Sequence, residues 1–320
     1  MPDNKSTITS LNDAPAQFGY LIAKTANQWM KEAADRPMPA DLWNRIIYEG
    51  DLAILFASSG SGKSILSTQI AHEISQRERV VYLDCEMSDK QFHWRYEGFT
   101  FNPNFIRMEL FPDGEKPPQI SDEDFIIQSL EEAILSLGAR VLIVDNITYL
   151  RSDTEKARDA LGLMKKLKEL KKKHGLTVLA IAHTPKRDAS RPLSQNDLAG
   201  SMMLYNFCDA VFAIGVGSDS RVRYVKQLKT RYTEIIYGES NVITFEIEKR
   251  LDGFLQFKFT GYGSETDYLS ARNRDQRDEQ IIALHLSGNG VNDIARQLKI
   301  SNATVSRVLN KRNVTVNNDN

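Results

Sequence analysis

The stretch "FASSGSGKSILSTQIAHEI", from Phe56 to Ile74, places small residues and one lysine between two apolar segments. The apolar run that ends at Ala57 is typical of a buried strand, and the apolar residues after Ser64 recur with helical spacing. Small side chains let a backbone approach a ligand closely, and the start of a helix presents free N–H groups. The stretch therefore predicts an anion-binding loop between a strand and a helix.

The loop matches the P-loop motif except at its first position, where Ala57 replaces glycine. Alanine is tolerable there if its backbone φ angle is negative. The motif predicts that ATP is bound, with Lys63 on the β- and γ-phosphates and Ser64 on Mg²⁺. A purely structural Gly/Ser turn is the alternative. The residues predicted to contact the nucleotide are Ala57, Ser58, Ser59, Gly60, Ser61, Gly62, Lys63, Ser64 and Ile65.

Three polar side chains lie at or just beyond the ends of later apolar runs, where parallel strands would bring them beside the loop. Asp145 ends "ARVLIVD", and a carboxylate at a buried strand tip is costly unless it serves a cation, so we predict an Mg²⁺ role rather than simple capping of the next turn. Glu86 is the predicted base that activates water, in preference to Asp84, although it would also suit a helix cap. His183 is predicted to contact the γ-phosphate, unless it is an ordinary loop histidine.

Composition narrows the class of protein. The 320 residues, 41% of them apolar, suffice for one large α/β domain and a small one. The net charge of −1 excludes a global polycation, so any nucleic-acid contact must come from a local patch. Cys85 and Cys208 show no metal-binding spacing and are predicted to be reduced thiols. The N-terminus lacks an apolar signal core, and no apolar run approaches the roughly 18 residues that cross a bilayer, so we expect a soluble cytoplasmic protein.

The order of apolar runs predicts the fold class. From Asp51 onward, "LAILFA", "RVVYLDC", "FIRMEL", "RVLIVDN", "LTVLAIAH" and "DAVFAIGV" mostly alternate with helical segments, which indicates a mainly parallel α/β sheet covered on both faces. After Arg221 only strands are predicted, namely "RVRYVKQLKT", "EIIYG", "VITFEIEK" and "FLQFKFTGY", as antiparallel hairpins that extend the sheet. The clearest predicted helices are Ser64–Gln76, Asp122–Leu137, Glu155–Lys173 and Leu198–Phe207. Residues 1–17 are expected to be disordered, followed by an amphipathic helix from Phe18 to Ala34.

These features together resemble the RecA-like ATPases, in particular the hexameric RepA and DnaB type replicative helicases and their KaiC-like relatives. The resemblance covers roughly residues 40–262, and it implies a RecA-like core, ATP and Mg²⁺ as cofactors, and a homo-oligomeric ring, such as a hexamer, with ATP sites between subunits. "QLKTRY" matches the Lys-x-Arg of that family, which implies that Lys229 and Arg231 reach the ATP of a neighbouring subunit. A plain basic strand edge is the alternative. Neither a primase-interacting N-terminal domain nor channel loops for DNA are assigned from the sequence, so the motifs themselves indicate an ATPase, and helicase activity is what the resemblance implies.

The C-terminal segment has the pattern of a helix-turn-helix, with the small Ala295 where two helices would cross. Between Ala271 and Asn313, eight Lys/Arg stand against four Asp/Glu, a local charge of +4. The segment resembles the DNA-binding helix-turn-helix of recombinases and sigma-like regulators, although Lys299 stands where glycine is common; a helical protein-interaction module is the alternative. Ser301 or Asn302 would cap the third helix. A first helix is predicted to contain Ile281, Ile282, Leu284 and Leu286. The predicted buried residues are Ile294, Leu298, Ile300, Val305 and Val308, and the predicted DNA-contacting residues are Asn302, Thr304, Ser306, Arg307, Asn310, Lys311 and Arg312.

We therefore predict an N-terminal tail and helix over residues 1–39, a RecA-like ATPase domain over 40–263, a polar linker over 264–277 and a helix-turn-helix domain over 278–313. Two functions fit this organisation. The first is an ATP-hydrolysing, ring-forming helicase or motor that acts on DNA in replication or mobile-element transfer. The second is an ATP-switched DNA-binding regulator or mobilisation protein without helicase activity.

Overall fold

The computed structural model describes residues 15–111, 117–148, 160–185, 187–198, 201–269, 271–298 and 300–311. The chain divides into two compact units, residues 1–40 and residues 41–320. In the first unit, β1 (Ala16–Phe18) and β2 (Leu21–Ala23) pair as an antiparallel hairpin, and α1 (Ala26–Ala34) follows.

The predicted helix from Phe18 is therefore wrong over its first part. Gly19 adopts a φ of +56° in the hairpin turn, and α1 begins only at Ala26. Its start is set by Thr25, whose hydroxyl accepts the N–H of Gln28 while the Gln28 side chain accepts the N–H of Thr25. Of the residues expected to be disordered, 1–14 lie outside the described part of the chain, and Ala16–Phe18 are a strand.

A sheet of nine described strands organises the second unit. Its order is β13-β12-β11-β10-β5-β9-β8-β6-β7, and the six strands from β10 to β7 are parallel. The parallel strands are β5 (Leu52–Ala57), β6 (Val80–Asp84), β7 (Phe105–Glu109), β8 (Val141–Asp145), β9 (Thr177–His183) and β10 (Ala210–Val216). The mixed α/β class with a mainly parallel sheet is confirmed, because the uniformly apolar runs are strands buried on both faces.

Three antiparallel strands extend this sheet: β11 (Val222–Lys229), β12 (Val242–Lys249) and β13 (Leu255–Gly263). The predicted strand "EIIYG", Glu234 to Gly238, does not form. The side-chain oxygen of Gln227 accepts the N–H groups of Ile236 and Tyr237, both at 2.9 Å, so a glutamine side chain takes the donors that a neighbouring strand would have used. This segment is a loop between β11 and β12.

Helices cover both faces of the sheet. One face packs against α4 (Asp122–Leu137), α5 (Ala160–His174) and α6 (Ser201–Phe207). The other packs against α2 (Lys63–Ser75) and a two-stranded ribbon of β3 (Asp41–Trp43) and β4 (Ile47–Tyr48). A short helix, α3 (Asp89–Arg95), follows β6. Successive residues of β5 alternate between the two cores, with Leu52, Ile54 and Phe56 on one side. Of the predicted helix residues, 155–159 and 199–200 lie outside the described part of the chain.

The C-terminal region contains α7 (Glu265–Tyr268), α8 (Ala271–Leu286), α9 (Val291–Leu298) and α10 (Asn302–Lys311). The predicted linker is thus partly helical. Its residue Glu265 is fully buried. The burial of this carboxylate is compensated by hydrogen bonds that it accepts from Lys226, from the Tyr224 hydroxyl and from the backbone N–H of Leu193. Within the described part of the chain, none of the helices combines the length and apolar character that a bilayer crossing needs.

Candidate functional site

The loop between β5 and α2 has the shape of an anion-binding cradle. Gly60 and Gly62 adopt φ angles of +74° and +99°. A Cβ on Gly62 would lie 2.9 Å from the ring of Phe257, so both the backbone angle and the packing require glycine there. Ala57 belongs to β5 and is not among the described residues with a positive φ, so alanine is accommodated at the first motif position.

Lys63 is 6% exposed and its ammonium group points back into the loop. Its Nζ donates to the carbonyl oxygens of Ala57 (3.1 Å) and Ser58 (3.2 Å). Burial lowers the pKa of Lys63, while Glu86 and Asp145 oppose this shift. Lys63 therefore lies where the loop, the carboxylates of Glu86 and Asp145 and the start of α2 meet.

Around it, Ser58, Ser59, Gly60 and Ser61 form the turn, with the Ser61 hydroxyl donating to the Ser58 carbonyl oxygen at 2.7 Å. The N–H of Ile65 is donated to the Gly62 carbonyl oxygen, so it already has a partner within the helix.

Asp145 ends β8 and is completely buried. Its Oδ2 accepts from the Tyr82 hydroxyl (2.6 Å) and from the Ser67 hydroxyl (3.4 Å). Its Oδ1 has no hydrogen-bond partner among the described residues. Burial raises the pKa of the Asp145 carboxyl, although the hydroxyls of Tyr82 and Ser64 act in the opposite direction. The peptide bond from Asp145 to Asn146 is cis.

This donor set fits Mg²⁺. The buried Asp145 carboxylate, whose Oδ1 forms no hydrogen bond within the described ranges, and the nearby hydroxyl of Ser64 offer the hard oxygen ligands that Mg²⁺ prefers. No group of three or more His, Cys, Asp or Glu residues that could hold a metal occurs in the described ranges. Mg²⁺ commonly completes its octahedron with water and nucleotide phosphates, so a site of one carboxylate and one hydroxyl is what a nucleotide-dependent ion requires.

Three side chains from separate strand ends meet beside Asp145. Asn146 Nδ2 donates to Glu86 Oε1 and lies 2.9 Å from His183 Nε2, which is 3.2 Å from the same Glu86 oxygen. His183 pairs with Ala57 in the β9–β5 register, so it stands directly beside the start of the loop. The predicted residues Glu86, His183, Asp145 and Lys63 are therefore brought together at the carboxyl edge of the parallel strands.

The sequence interpretation missed two residues of this region. Asn146 follows Asp145, and the rule that strand ends carry functional groups could have indicated it. Arg223, at the start of β11, donates from Nε to the carbonyl oxygen of Ser61 at 3.1 Å. Burial lowers the pKa of Arg223. No sequence signal indicates Arg223, because its position depends on the antiparallel register of β11 against β10.

Lys229 and Arg231 lie at the opposite end of the parallel strands, near the amino end of β5. Lys229 Nζ donates to the carbonyl oxygen of Tyr205 at 2.7 Å, and Arg231 pairs with Asp209 at 2.9 Å. Asp209 also accepts the N–H of Leu52, the first residue of β5. The P-loop follows the last residue of that six-residue strand, about 17 Å further along. These two cations are therefore not part of the cluster formed by their own chain.

The C-terminal helices form a small core of their own. It is built from Ile281, Ile294, Ala295, Val305, Val308 and Leu309, and Ile282, Leu284, Leu298 and Ile300 pack against it. The residues predicted to be buried therefore all belong to this core or pack against it, and Leu286 of the first helix is 75% exposed. Ser301 caps α10 by accepting the N–H of Thr304 at 3.2 Å. Of the predicted DNA-contacting residues, Asn302, Arg307 and Asn310 are exposed and Thr304 and Ser306 are half-buried. The side chain of Lys311, Arg312 and the turn residue Lys299 lie outside the described residues.

Family comparison agrees with this architecture. Residues 23–189, more than half of the chain, match the AAA domain family, and the chain belongs to it. Residues 269–312 match the helix-turn-helix domain of resolvase. These matches support the predicted P-loop ATPase domain and the predicted C-terminal helix-turn-helix. Comparison with the curated proteins found no significant match.

Among solved structures, the fold is similar to that of a KaiC-like protein from the hyperthermophilic archaeon Pyrococcus horikoshii. The TM-score is 0.50 at 16% sequence identity, and the match covers 67% of this chain and 94% of that one. At this identity the likeness concerns the fold, and it confirms the RecA-like α/β class. Membership of the replicative helicase group stays a prediction.

Proposed function

We propose that this protein binds ATP with Mg²⁺, hydrolyses it, and acts on DNA. The observation that carries the proposal is the meeting of Glu86, Asn146, His183 and Asp145 at one edge of the sheet, beside a glycine-rich loop that holds a buried lysine. A structural Gly/Ser turn would give no reason to bury an unpartnered carboxylate oxygen and a lysine next to it.

Each group has a role in this proposal. The backbone of residues 58–64 and Lys63 would hold the phosphates, and Ser64 and Asp145 would hold Mg²⁺, which when bound neutralises phosphate charge. Glu86 takes the proton of the attacking water. Asn146 and His183 orient the Glu86 carboxylate, and His183 also faces the γ-phosphate.

Glu86 suits the base better than Asp84 does. Both oxygens of Asp84 are already engaged, one by the N–H groups of Glu86 and Met87 and the other by Arg107. The Glu86 side chain is 28% exposed and lines an open cleft of about 520 Å³. A base must reach water, and only one of these two carboxylates does.

Lys229 and Arg231 would act on the ATP of a neighbouring copy in a ring. Their distance from the P-loop of their own chain supports action between chains. A cation on the γ-phosphate stabilises charge in the transition state, an effect of about 10³–10⁵ in rate for arginine fingers. The size of the ring, for instance a hexamer, belongs to the proposal.

DNA would be bound by the exposed face of α10. The match to the resolvase helix-turn-helix, the capped third helix and its exposed Asn302, Arg307 and Asn310 support this role. The finer function is a ring-forming motor or helicase, with an ATP-switched DNA-binding regulator as the second candidate. The second candidate is favoured by a direct contact between the modules, since Arg191 donates to the carbonyl oxygen of Leu298 at 3.2 Å, at the end of α9.

The test is an ATPase assay of the full chain with no DNA, with single-stranded DNA and with duplex DNA. A motor is expected to be stimulated severalfold by single-stranded DNA and to displace strands. A regulator is expected to turn over slowly without stimulation and to change its duplex affinity with nucleotide.

Two variants make this assay specific to the site. Glu86→Gln should bind ATP and hydrolyse it only at a small residual rate, whereas Lys63→Ala should lose hydrolysis and weaken binding. Glu132→Gln, on the exposed side of α4, is the matched control and should behave as the unchanged protein. Normal hydrolysis by Glu86→Gln would exclude Glu86 as the base, and absence of nucleotide binding by the unchanged protein would refute the proposal as a whole.

A further inference from the structure

The turn that carries Glu86, between β6 and α3, is held by two side chains outside the proposed ATP contacts. Asp84 Oδ1 accepts the backbone N–H groups of Glu86 (3.1 Å) and Met87 (2.9 Å). Arg107 Nε donates to Asp84 Oδ2 at 3.0 Å, and Arg107 Nη2 donates to the carbonyl oxygen of Met87 at 2.5 Å. The Asp84 carboxylate therefore binds the two backbone N–H groups of this turn, and the Arg107 guanidinium binds its carbonyl oxygen.

The pair is enclosed. The Asp84 side chain is fully buried and that of Arg107 is 16% exposed. The guanidinium carbon of Arg107 lies 5.0 Å from the ring centre of Phe92, on α3. Arg107 Nη1 also lies 3.2 Å from the carboxylate of Glu109, which is half exposed. Charge-assisted hydrogen bonds in such surroundings are short and directional, so they hold the turn in one orientation.

The position of the pair argues for more than a role in folding. Arg107 lies on β7, the edge strand of the sheet, opposite Tyr82 of β6. Apolar side chains of similar volume would join two neighbouring strands at least as well as a buried ion pair does. What they would lack is the ability to fix the peptide groups of residues 86 and 87, on which the direction of the Glu86 side chain depends.

We propose that Arg107, acting through Asp84 and through the carbonyl group of Met87, is a positioning residue for Glu86. The inference rests on the proposed ATPase function. Arg107 is not one of the proposed ATP contacts and has no direct part in the reaction. It keeps the Glu86 carboxylate within reach of Asn146 and His183, where it can accept the proton of the attacking water. A lysine could neutralise Asp84 but could not present the same fork to Asp84 and Met87 together.

Steady-state ATPase kinetics of the full chain test this role. Arg107→Met is expected to lower kcat about 10–100-fold, because displacement of a reacting group by about 1 Å has effects of this size. KM should change by less than about twofold, since the P-loop and Lys63 are untouched. Arg107→Lys should recover part of the loss. The matched control is Arg79→Met, which removes an arginine that donates to the Leu137 carbonyl oxygen at the far end of β6 and should leave kcat unchanged.

A double variant separates positioning from general damage. If Arg107 acts only through Glu86, then Glu86→Gln/Arg107→Met should be no slower than Glu86→Gln alone. An additive further loss would overturn the inference. Because Arg107→Met leaves the buried Asp84 carboxylate without its cation, the pair is also removed together, as Asp84→Asn/Arg107→Met, and folding is checked by thermal unfolding.

The outcomes distinguish this inference from the function on which it rests. If the unchanged protein does not hydrolyse ATP, both fail. If it does, and either Arg107→Met or the folded Asp84→Asn/Arg107→Met variant keeps its kcat, only the positioning role is overturned. A fall in kcat with an unchanged KM, absent in the Glu86→Gln background, supports it.

Discussion

Replacing Asp145 by asparagine should stabilise the nucleotide-free protein while removing its response to Mg²⁺ and ATP. Asp145 is completely buried, and its Oδ1 lacks a partner among the described residues. A buried polar group without a partner costs about 1–3 kcal/mol, and more when it is charged. The asparagine side chain would keep an oxygen for the Tyr82 hydroxyl and carry no charge, so Asp145→Asn should raise the free energy of unfolding by about 1–3 kcal/mol.

Thermal unfolding measures this gain. For a domain of this size, 1 kcal/mol corresponds to a Tm shift of roughly 2–4 °C, so a rise of about 2–12 °C is expected without nucleotide. The unchanged protein should gain further stability when Mg²⁺ and ATP are added, by mass action, and Asp145→Asn should gain little from Mg²⁺. Asp35→Asn, which alters an exposed carboxylate, is the control and should leave both values unchanged.

Two results would refute this reasoning. If Asp145→Asn unfolds at a lower temperature than the unchanged protein without nucleotide, the buried carboxylate is part of the fold's stability and is not kept for a cation. If Mg²⁺ and ATP together stabilise Asp145→Asn as much as the unchanged protein, Asp145 does not contribute to Mg²⁺ binding.

Three further predictions concern pH, assembly and the C-terminal module. Burial raises the pKa of the Asp51 carboxyl from 3.8 to about 6, so its contribution to the free energy of unfolding is full below pH 3.8 and is lost as the pH rises to about 6. This loss is at most about 3 kcal/mol, and Asp51→Asn should remove it when urea unfolding at pH 4 is compared with that at pH 7.5. Lys63→Ala and Arg231→Ala should each be nearly inactive alone but regain ATPase activity when mixed, and an inactive mixture with proven subunit exchange would reject sites shared between chains. A chain ending at Leu269, which keeps the buried Glu265, should retain ATP binding and lose duplex affinity about tenfold or more in fluorescence anisotropy; unchanged affinity would favour a protein-interaction module.

Much of the site is predictable from sequence because strand ends are easy to recognise in a parallel sheet. Where a uniformly apolar run stops, the next polar residue stands at the carboxyl end of the strand, and this rule places Asp145 and His183 near the loop and Glu86 just beyond the end of β6. That alanine is tolerated at position 57 is predictable too, since the condition set from the sequence is a negative φ, and Ala57 is not among the described residues with a positive φ.

What could not be predicted depends on contacts between segments distant in sequence. Arg223 reaches Ser61 only because β11 folds back antiparallel to β10. The segment from Glu234 to Gly238 has the composition of a strand, but the Gln227 side chain captures its N–H groups. The linker prediction missed Glu265 for a similar reason: a glutamate in a polar stretch is exposed unless a lysine, here Lys226, is buried with it.

The two ends of the parallel strands carry different groups of the proposed ATP site. The carboxyl ends of the parallel strands hold the loop, the proposed Mg²⁺ ligands and Glu86, whereas Lys229 and Arg231 stand near the amino end of β5. A strand of six residues separates them, and no rotation of a side chain spans about 17 Å. If these cations act on ATP at all, the ATP must therefore belong to another chain. If every chain places its Lys229 and Arg231 against the P-loop end of the next chain, the contacts are head-to-tail and can close into a ring. Assembly and catalysis would then both depend on Lys229 and Arg231.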